Sequence, residues 1–284
     1  MKRFVSTFLS AIIFLGPAVS AFAWGDDGHQ TVGKIASLRI KPRTAQKIAQ
    51  ILQPGETLAS IATWADTVKE RMGKTDPDPD HPLSQRNALK LLVHFLGDIH
   101  QPLHVGCGFI DIHGPNGNVM IVRDPVRIKQ LNLPSDKGAN DLIIDNDRKN
   151  LHSFWDFTLV TSLMTTVGQE ITSDTLGTFL KQNVRPKASW NPHGPINTWA
   201  AQWATDSLHL SRDETYKSVQ IVRKRIIPVL SHGQPVIRDG QPVTQMVFDI
   251  TRADNYEALN RELVRQQLAK AGFRLARLLD AIYQ

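Results

Sequence analysis

Residues 94–104 read His-Phe-Leu-Gly-Asp-Ile-His-Gln-Pro-Leu-His, and this stretch indicates both the fold class and the chemistry of the chain. His94 and Asp98 are four residues apart, so on a helix their side chains project from the same face. His100 follows Asp98 by two residues, about 200° around the helix, and is expected to point elsewhere. The proline after it ends the helix and lets His104 turn back towards the first pair.

A second stretch repeats this spacing. Residues 150–156 read Asn-Leu-His-Ser-Phe-Trp-Asp, which again sets a histidine and an aspartate, His152 and Asp156, four residues apart. One such pair alone is more often a surface hydrogen bond or ion pair than a metal site. Two pairs on separate helices, with a further histidine after the first, offer the nitrogen and oxygen ligands that zinc prefers. Multi-metal sites in helical bundles are commonly built this way, so the two stretches together predict a metal centre.

The rest of the chain is predicted to be mainly helical. Ser84 is a predicted N-cap, and the apolar residues Leu89, Val93 and Leu96 follow it at helical spacing. The last predicted helix is long and amphipathic. The predicted helical segments are residues 43–53, 56–70, 84–100, 140–164, 197–212, 217–230 and 250–282.

Residues 108–123 break the helical pattern. Two short apolar runs flank the turn-forming segment His-Gly-Pro-Asn-Gly-Asn, which predicts a β-hairpin. Residues 71–81 are predicted to form an exposed loop, and the Gly/Pro-rich stretch 232–242 a second loop or hairpin. We therefore expect an all-α fold class, a mainly helical single domain over residues 24–284 with one small hairpin.

The composition limits the possible functions. The chain has 284 residues, of which 41% are hydrophobic and 21% charged, and this excludes a disordered or collagen-like protein. Its 33 Lys+Arg outnumber its 27 Asp+Glu, a mild excess that suits an anionic substrate. A single cysteine excludes an intrachain disulfide framework and cysteine-rich zinc sites. Cys107 is expected to be a small buried residue. The alternative is that it approaches the metal centre, because it follows His104 by three residues.

Residues 1–23 are predicted to be a signal peptide. Two basic residues precede the apolar run Phe4–Leu15, which is too short to span a bilayer comfortably, and Ala21–Ala23 matches a signal-peptidase site. A membrane anchor is the alternative. The mature chain would begin at Trp24. Because the chain has neither an Asn-x-Ser/Thr site nor a cysteine pair, a bacterial periplasmic or secreted location is favoured.

Further motifs make the sequence resemble a known family. It resembles the S1/P1 nuclease family in Trp24-Gly-Asp-Asp-Gly-His29, Trp64-Ala-Asp66, His81 and the two stretches described above. The resemblance implies a helical fold related to the zinc-dependent bacterial phospholipases C. It also implies three zinc ions per chain and the cleavage of single-stranded nucleic acids and 3′-nucleotides.

The resemblance also implies how the metals are held. Each zinc would have its own set of ligands, with Asp98 shared between two of them. One ion would be held by Asp66, His81, His94 and Asp98, a second by His104, His152 and Asp156, and a third by His29, Asp98 and the amine and carbonyl of Trp24. The first two ions would acidify a shared water, and the third would neutralise the leaving 3′-oxygen.

Three residues match the family's catalytic or substrate contacts. Asp66 would orient the attacking hydroxide, Lys69 would clamp a phosphate oxygen, and Asn118 would help to hold the substrate. The alternatives are that Lys69 is a solvated surface residue and that Asn118 is an ordinary turn residue. The sequence departs from the family directly after His81, where Pro-Leu-Ser replaces the base-stacking aromatic and a nearby aspartate. This departure puts base preference in doubt.

The leading hypothesis is a zinc phosphodiesterase, an endonuclease that cleaves single-stranded DNA or RNA to 5′-phosphorylated products and also acts on 3′-nucleotides. A zinc-dependent phospholipase C is the nearest alternative, although those relatives tend to have glutamate where this chain has Asp156. A non-catalytic zinc-binding exported protein is the second alternative. We expect the mature protein to be a monomer without a stable protein partner. After removal of the signal peptide we expect no transmembrane segment.

Overall fold

The protein is mainly helical, as the sequence predicts. The computed structural model describes residues 24–71, 84–144, 149–168, 171–231 and 233–284. Its helices are α1 (Asp26–Ser37), α2 (Pro42–Ile51), α3 (Trp64–Arg71), α4 (Gln85–Asp98), α5 (Pro102–Val105), α6 (Pro125–Leu131), α7 (Leu151–Ser153), α8 (Leu159–Val167), α9 (Ser173–Asn183), α10 (Trp199–Leu210) and α11 (Tyr256–Ile282). A π-helical turn, Phe154–Thr158, joins α7 to α8, and another, Ser211–Thr215, extends α10.

The long C-terminal helix α11 is the centre of the helical packing. It contacts α1, α4, α8 and α9, and α1 in turn packs against α9 and α4. Val264, Leu268, Leu275 and Leu279 of α11 are fully buried. Each such aliphatic side chain contributes about 1.5–3 kcal/mol through burial, so this face holds the bundle together. α1 and α4 carry several of the predicted metal ligands, and their packing fixes where those ligands lie.

The strands form one four-stranded sheet and three two-stranded sheets in the described residues. They are β1 (Phe109–Asp111), β2 (Met120–Val122), β3 (Leu142–Ile144), β4 (Lys149–Asn150), β5 (Gln220–Pro228), β6 (Leu230–Ser231), β7 (Gln234–Pro235), β8 (Ile237–Arg238), β9 (Gln241–Pro242) and β10 (Thr244–Thr251). β1 and β2 pair antiparallel, which confirms the predicted hairpin over 108–123. The predicted loop or hairpin over 232–242 contains the antiparallel pair β8–β9 and also β7, which pairs with β6 just before this segment.

The prediction of a helix over 217–230 is wrong. This segment contains β5, which pairs antiparallel with β10 in a four-stranded sheet of order β4-β3-β10-β5. β5 is rich in β-branched residues, which suit a pleated strand and lose rotamer freedom in a helix. Pro228 also lacks the N–H that a helix interior requires.

The predicted helix over 140–164 is wrong in its first part. β3 pairs parallel with β10, and β4 pairs with β3, so the helix begins only at Leu151. Asn150 accounts for this start, because its side chain accepts a hydrogen bond from the Ser153 N–H at 2.7 Å while the Ser153 hydroxyl accepts one from the Asn150 N–H at 3.2 Å. This reciprocal capping box is a strong helix-start signal.

Other boundaries also differ from the predictions. The helix predicted over 56–70 begins at Trp64, after a series of turns, and α1, α6 and α9 fall outside the predicted helices. Of the predicted loop over 71–81, Arg71 is instead the last residue of α3, and residues 72–81, including His81, lie outside the described residues, as does the predicted signal peptide. No helix in the described residues is long and apolar enough to cross a membrane.

Candidate metal centre

Four predicted ligands converge at one place, and we call His29, Asp66, His94 and Asp98 the buried group. One ligand atom from each of His29, Asp66 and His94 lies within 4.8 Å of the others. Asp98 joins them, because its Oδ1 lies 3.3 Å from His29 Nε2 and its Oδ2 lies 3.5 Å from His94 Nε2. One carboxylate therefore contacts both histidines of the group.

The buried group is assembled from three helices. His29 lies in the first turns of α1, Asp66 on α3, and His94 and Asp98 on α4. The rings of His29 and His94 are stacked, with centroids 4.1 Å apart. Gly97 makes this approach possible, because a Cβ at that position would lie 2.6 Å from His29 Nδ1. The glycine of the first stretch is therefore required by packing between α1 and α4.

The tautomer of His94 follows from its hydrogen bond. His94 Nδ1 lies 2.8 Å from the carbonyl oxygen of Ala62. A carbonyl only accepts, so Nδ1 carries the proton, and in the neutral ring Nε2 presents a lone pair. That lone pair faces Asp66 Oδ1 at 3.8 Å and Asp98 Oδ2 at 3.5 Å. A lone pair and carboxylate oxygens repel one another unless a proton or a metal cation lies among them.

Three further predicted ligands form a second cluster, and we call His104, His152 and Asp156 the open group. His152 Nε2 lies 3.0 Å from His104 Nε2 and 3.3 Å from Asp156 Oδ2. His152 Nδ1 donates to the carbonyl oxygen of Gly138 at 2.7 Å, so its Nε2 again presents a lone pair when the ring is neutral. His152 and Asp156 are buried, whereas His104 is exposed.

Asp156 is held as an acceptor in a buried position. It lies on the π-helical turn Phe154–Thr158, and its Oδ1 accepts a hydrogen bond from Gln101 Nε2 at 2.7 Å. Its buried Oδ2 accepts no hydrogen bond from the described residues. Burial raises the pKa of Asp156 well above its usual value, and the charges of Asp98 and Asp66 raise it further, while Gln101 opposes the rise. An ionised Asp156 therefore requires a neighbouring positive charge.

A strained loop aims the Gly138 carbonyl at His152. Lys137, Gly138 and Ala139 have φ values of 57°, 65° and 65°, which are rare for residues with a side chain. The buried carboxylate of Asp136 holds this conformation, because its Oδ1 accepts hydrogen bonds from the Gly108 and Ala139 N–H groups, each at 3.0 Å. Burial raises the pKa of Asp136 to about 6. Backbone strain of this kind is commonly found at functional sites.

The segment beginning at Trp24 is pinned between the two groups. The fully buried Trp24 donates a hydrogen bond from its indole Nε1 to the Gly97 carbonyl oxygen at 2.9 Å. Gly25 N–H donates to the backbone carbonyl oxygen of Asp156 at 3.0 Å. Trp24 is thus held against Gly97, the neighbour of Asp98, and Gly25 is held against the backbone of Asp156 in the open group.

The donor sets of both groups fit zinc. Imidazole nitrogens and carboxylate oxygens are ordinary zinc ligands, and their lone pairs converge here over distances that one ion can bridge. The hydrogen bonds from His94 and His152 to backbone carbonyls are the outer contacts that typically orient metal-binding histidines. The side chains of the two groups also place three carboxylates close together, which divalent cations would neutralise.

Other residues singled out in the sequence lie elsewhere. Lys69 lies on α3, one turn after Asp66, and Asn118 is exposed at the end of the turn Pro115–Gly117. His100 points away from both groups, as predicted: its Nδ1 donates to the Leu96 carbonyl oxygen at 2.7 Å. Burial, with a smaller effect of Arg274, lowers its pKa well below the usual value.

The expectation that Cys107 is buried is wrong. The residue is exposed, because it follows the short helix α5 in a connection that runs to β1 at the surface. The preceding Gly106 and the following Gly108 are the buried positions of this connection.

Sequence reasoning missed two side chains near the open group. Gln101 lies between His100 and His104 and fixes Asp156, but its role depends on a contact across the fold that no local pattern reveals. Asn140 follows the strained loop, where its Nδ2 donates to the Lys137 carbonyl oxygen at 2.9 Å and its Oδ1 accepts from Asn150 at 3.3 Å. The small residues before Asn140 are the signal that could have drawn attention to it.

Comparisons with known proteins show similarity to nucleases along most of the chain. The family model for S1/P1 nucleases matches residues 24–81 and 74–284. Nuclease S1 of Aspergillus oryzae is 23% identical over 94% of this chain and 94% of its own length. Endonuclease 2 of Arabidopsis thaliana is 22% identical over 98% of this chain and 97% of its own, and Nuclease P1 of Penicillium citrinum is 25% identical over 92% and 98%.

Proposed function

Since the chain belongs to the S1/P1 nuclease family and is therefore a phosphoester hydrolase, we propose that it cleaves single-stranded DNA and RNA to 5′-phosphorylated products. We further propose that it dephosphorylates 3′-nucleotides. The observation that supports this best is the convergence of the buried and open groups, whose imidazole lone pairs and carboxylates face one another in pairs. The exposure of His104 opens this centre to an incoming phosphodiester.

We propose that the centre holds three zinc ions. Asp66, His94 and Asp98 of the buried group, with His81 supplied by the sequence resemblance, would hold one ion, and the open group a second. His29, Asp98 and the backbone of Trp24 would hold the third. When bound, zinc lowers the pKa of a water molecule from about 15.7 to about 7 and withdraws charge from phosphate oxygens.

The side chains of this chain would orient the substrate and the attacking water. Asp66 accepts a hydrogen bond from the water and aims it at phosphorus. The water oxygen bonds to phosphorus, the bond from phosphorus to the 3′-oxygen breaks, and the products are a 5′-phosphate and a 3′-hydroxyl. Lys69 binds a non-bridging phosphate oxygen from its place one turn after Asp66. Asn118 donates a further hydrogen bond to the substrate from the exposed end of the turn Pro115–Gly117.

We propose that removal of residues 1–23 completes the third site. A free α-amine on Trp24 has a lone pair once deprotonated, with an ordinary pKa of about 7.7–8.0, whereas an amide nitrogen offers none. The pinning of Trp24 between Gly97 and the Asp156 backbone supports this, as does the start of the family match at residue 24. The mature enzyme would then act in the bacterial periplasm or outside the cell.

The N-terminal proposal has its own test. A mature chain that retains an extra Met before Trp24 is compared with correctly processed protein for zinc content and turnover. The extra residue is expected to leave two zinc ions bound, weaken the third and slow hydrolysis. Equal zinc content and equal turnover in the two proteins would contradict the role of the amine.

Weak base selectivity is also proposed. The family's stacking aromatic is absent after His81, and Trp155 cannot replace it because it is fully buried and donates to Tyr256 Oη at 3.0 Å. A stacking contribution of about 1–3 kcal/mol per base would then be missing. The four 3′-nucleotides are expected to be cleaved at similar rates, and a strong preference for one base would show that another ring supplies the platform.

One assay tests the activity as a whole. Purified holoprotein is offered single-stranded DNA, RNA, 3′-AMP and a phosphatidylcholine analogue, with and without a chelator. Hydrolysis of the first three, abolished by the chelator and by His104→Ala but retained by His209→Ala, is expected. His209 is the matched control, because it is also an exposed histidine and lies on α10 outside both groups.

The other outcomes of this assay identify the alternatives. Hydrolysis of the phosphatidylcholine analogue alone would favour a phospholipase C. Zinc binding without hydrolysis of any of these substrates would favour the non-catalytic zinc-binding protein.

A further inference from the structure

A second concave surface lies at the end of the bundle away from the metal centre. It is a cleft of about 770 Å³ between the C-terminal ends of α1, α9 and α11 and the start of α10. Its walls include Arg39, Lys41, Lys181 and Arg277, four basic side chains from three different parts of the chain. We call this surface the basic cleft.

The charge of the basic cleft is not balanced by its own surroundings. Among the described residues, none of these four side chains forms an ion pair, although many other basic residues of the protein do. Asp280 is the acidic side chain on the wall, and its Oδ1 accepts a hydrogen bond from the backbone N–H of Lys41 at 2.9 Å. Lys41, Lys181 and Arg277 are all exposed. The cleft therefore attracts an anion with several charges.

Aromatic rings lie among these charges. The Arg277 guanidinium lies 5.8 Å from the centre of the Trp199 ring, and the Arg39 guanidinium lies 5.7 Å from the centre of the Phe273 ring. Both rings are only partly buried. Cationic side chains interleaved with aromatic rings are the combination that binds single-stranded nucleic acid, because phosphates meet the cations while bases stack on rings or guanidinium planes.

We propose that the basic cleft is an accessory binding site for a single-stranded nucleic acid, and that it holds part of the substrate strand away from the cleavage site. This inference rests on the proposed nuclease function. His29 and Arg39 are ten residues apart on and just beyond α1, so the two sites are separated by about 15 Å along that helix. A mononucleotide at the metal centre cannot reach the cleft, whereas a longer strand can occupy both sites.

Binding and kinetics of a paired set of variants test this proposal. The cleft variant is Lys181→Gln with Arg277→Gln, and the control is Lys224→Gln with Arg238→Gln. The control residues are exposed, carry the same total charge and form no ion pair among the described residues. The probes are a single-stranded DNA of about 16 nucleotides with phosphorothioate linkages, for fluorescence anisotropy on the holoprotein, and 3′-AMP, for turnover.

The cleft variant is expected to bind the long strand about tenfold more weakly at low salt. Loss of two phosphate contacts should also reduce the steepness of log K against log salt concentration by about 1.4, at about 0.7 per contact for single strands. The KM for long DNA should rise, while the kcat and KM for 3′-AMP stay unchanged. The control should match the wild type in every measurement.

Three results would overturn the proposal. One is equal binding by the cleft and control variants, and another is a loss of 3′-AMP turnover in the cleft variant, which would show damage to the metal centre. The third is binding of wild-type protein to phosphatidylglycerol vesicles that the cleft variant alone loses while it keeps DNA binding. A protein that hydrolyses no nucleic acid would refute the proposed function, but anisotropy would still report separately on the cleft.

Discussion

The buried group and the open group use the same His-x-x-x-Asp spacing in different settings. In the buried group the ligands project from the regular helices α1, α3 and α4, and a single carboxylate, Asp98, contacts two stacked histidines. In the open group His104 is exposed, Asp156 lies on a π-helical turn, and His152 is oriented by a strained loop. The comparison indicates that the buried group ties the fold together, whereas the open group is shaped for access by substrate.

Removing one carboxylate from each group should separate these roles most clearly. Asp98→Asn is expected to weaken two zinc sites at once and to reduce activity by about 10³-fold or more, because a shared ligand is lost. Asp156→Asn should weaken one site. Zinc bound per chain, melting temperature and turnover are measured for both variants.

The exposed Asp254 provides the control for this comparison, and Asp254→Asn is expected to behave as wild type. Asp98→Asn should lose more zinc and melt at a lower temperature than Asp156→Asn, since bound metal stabilises the folded state. Loss of a single zinc from each variant, with equal effects on melting, would contradict the bridging role of Asp98.

A smaller effect is expected from Gln101, whose side chain donates to Asp156 and also accepts from the Leu103 N–H at the start of α5, the helix that carries His104. Gln101→Leu removes both of these hydrogen bonds, and changes at such outer contacts typically cost about 10–100-fold in metal affinity or activity. One zinc site should weaken, and the others should keep their affinity in a chelator competition titration. An equal loss of affinity at every site would mean that Gln101 acts on the whole fold instead.

The ligand pairs that lie within a single helical segment can be predicted from the sequence. Four-residue spacing predicts that His94 and Asp98, and likewise His152 and Asp156, share a helix face, and the structure places each pair within 3.5 Å. The helix predicted over 217–230 fails because β5 depends on pairing with β10, a contact between separate segments. Local periodicity carries little information about such pairing.

Two features of the centre could not be predicted from the sequence, because they depend on contacts between separate segments of the chain. The left-handed conformations of Lys137 and Ala139 oppose their intrinsic preferences, so only the buried Asp136 and its hydrogen bonds explain them. The contact of Gln101 with Asp156 joins α5 to the π-helical turn across 55 residues. Neither feature leaves a periodic signal.

Asp136→Asn should have the smallest effect on activity, but it should change how the free energy of unfolding depends on pH. The pKa of Asp136 is raised by burial from 3.8 to about 6, so between about pH 4 and pH 6 the folded protein binds a proton that the unfolded chain has released. The contribution of this group to the free energy of unfolding therefore falls as pH rises through that window, by about 3 kcal/mol in total. Asn at this position is neutral throughout and lacks this contribution.

Urea unfolding of wild type and Asp136→Asn from pH 4 to pH 7 measures the difference. The stability of wild type relative to the variant should decrease as pH rises, and metal release at low pH largely cancels because both proteins keep the same ligands. Turnover at neutral pH should fall only a few-fold, through looser orientation of His152. A stability difference that is constant over this range would contradict a raised pKa for Asp136.

The buried and open groups are proposed to bind zinc together with the N-terminus of the mature chain. Anomalous X-ray scattering at the zinc edge, from crystals of correctly processed protein, tests it most directly. Three peaks are predicted, one beside Asp66, His94 and Asp98, one within the open group, and one among His29, Asp98 and the backbone of Trp24. The absence of a zinc peak from either group would contradict the account.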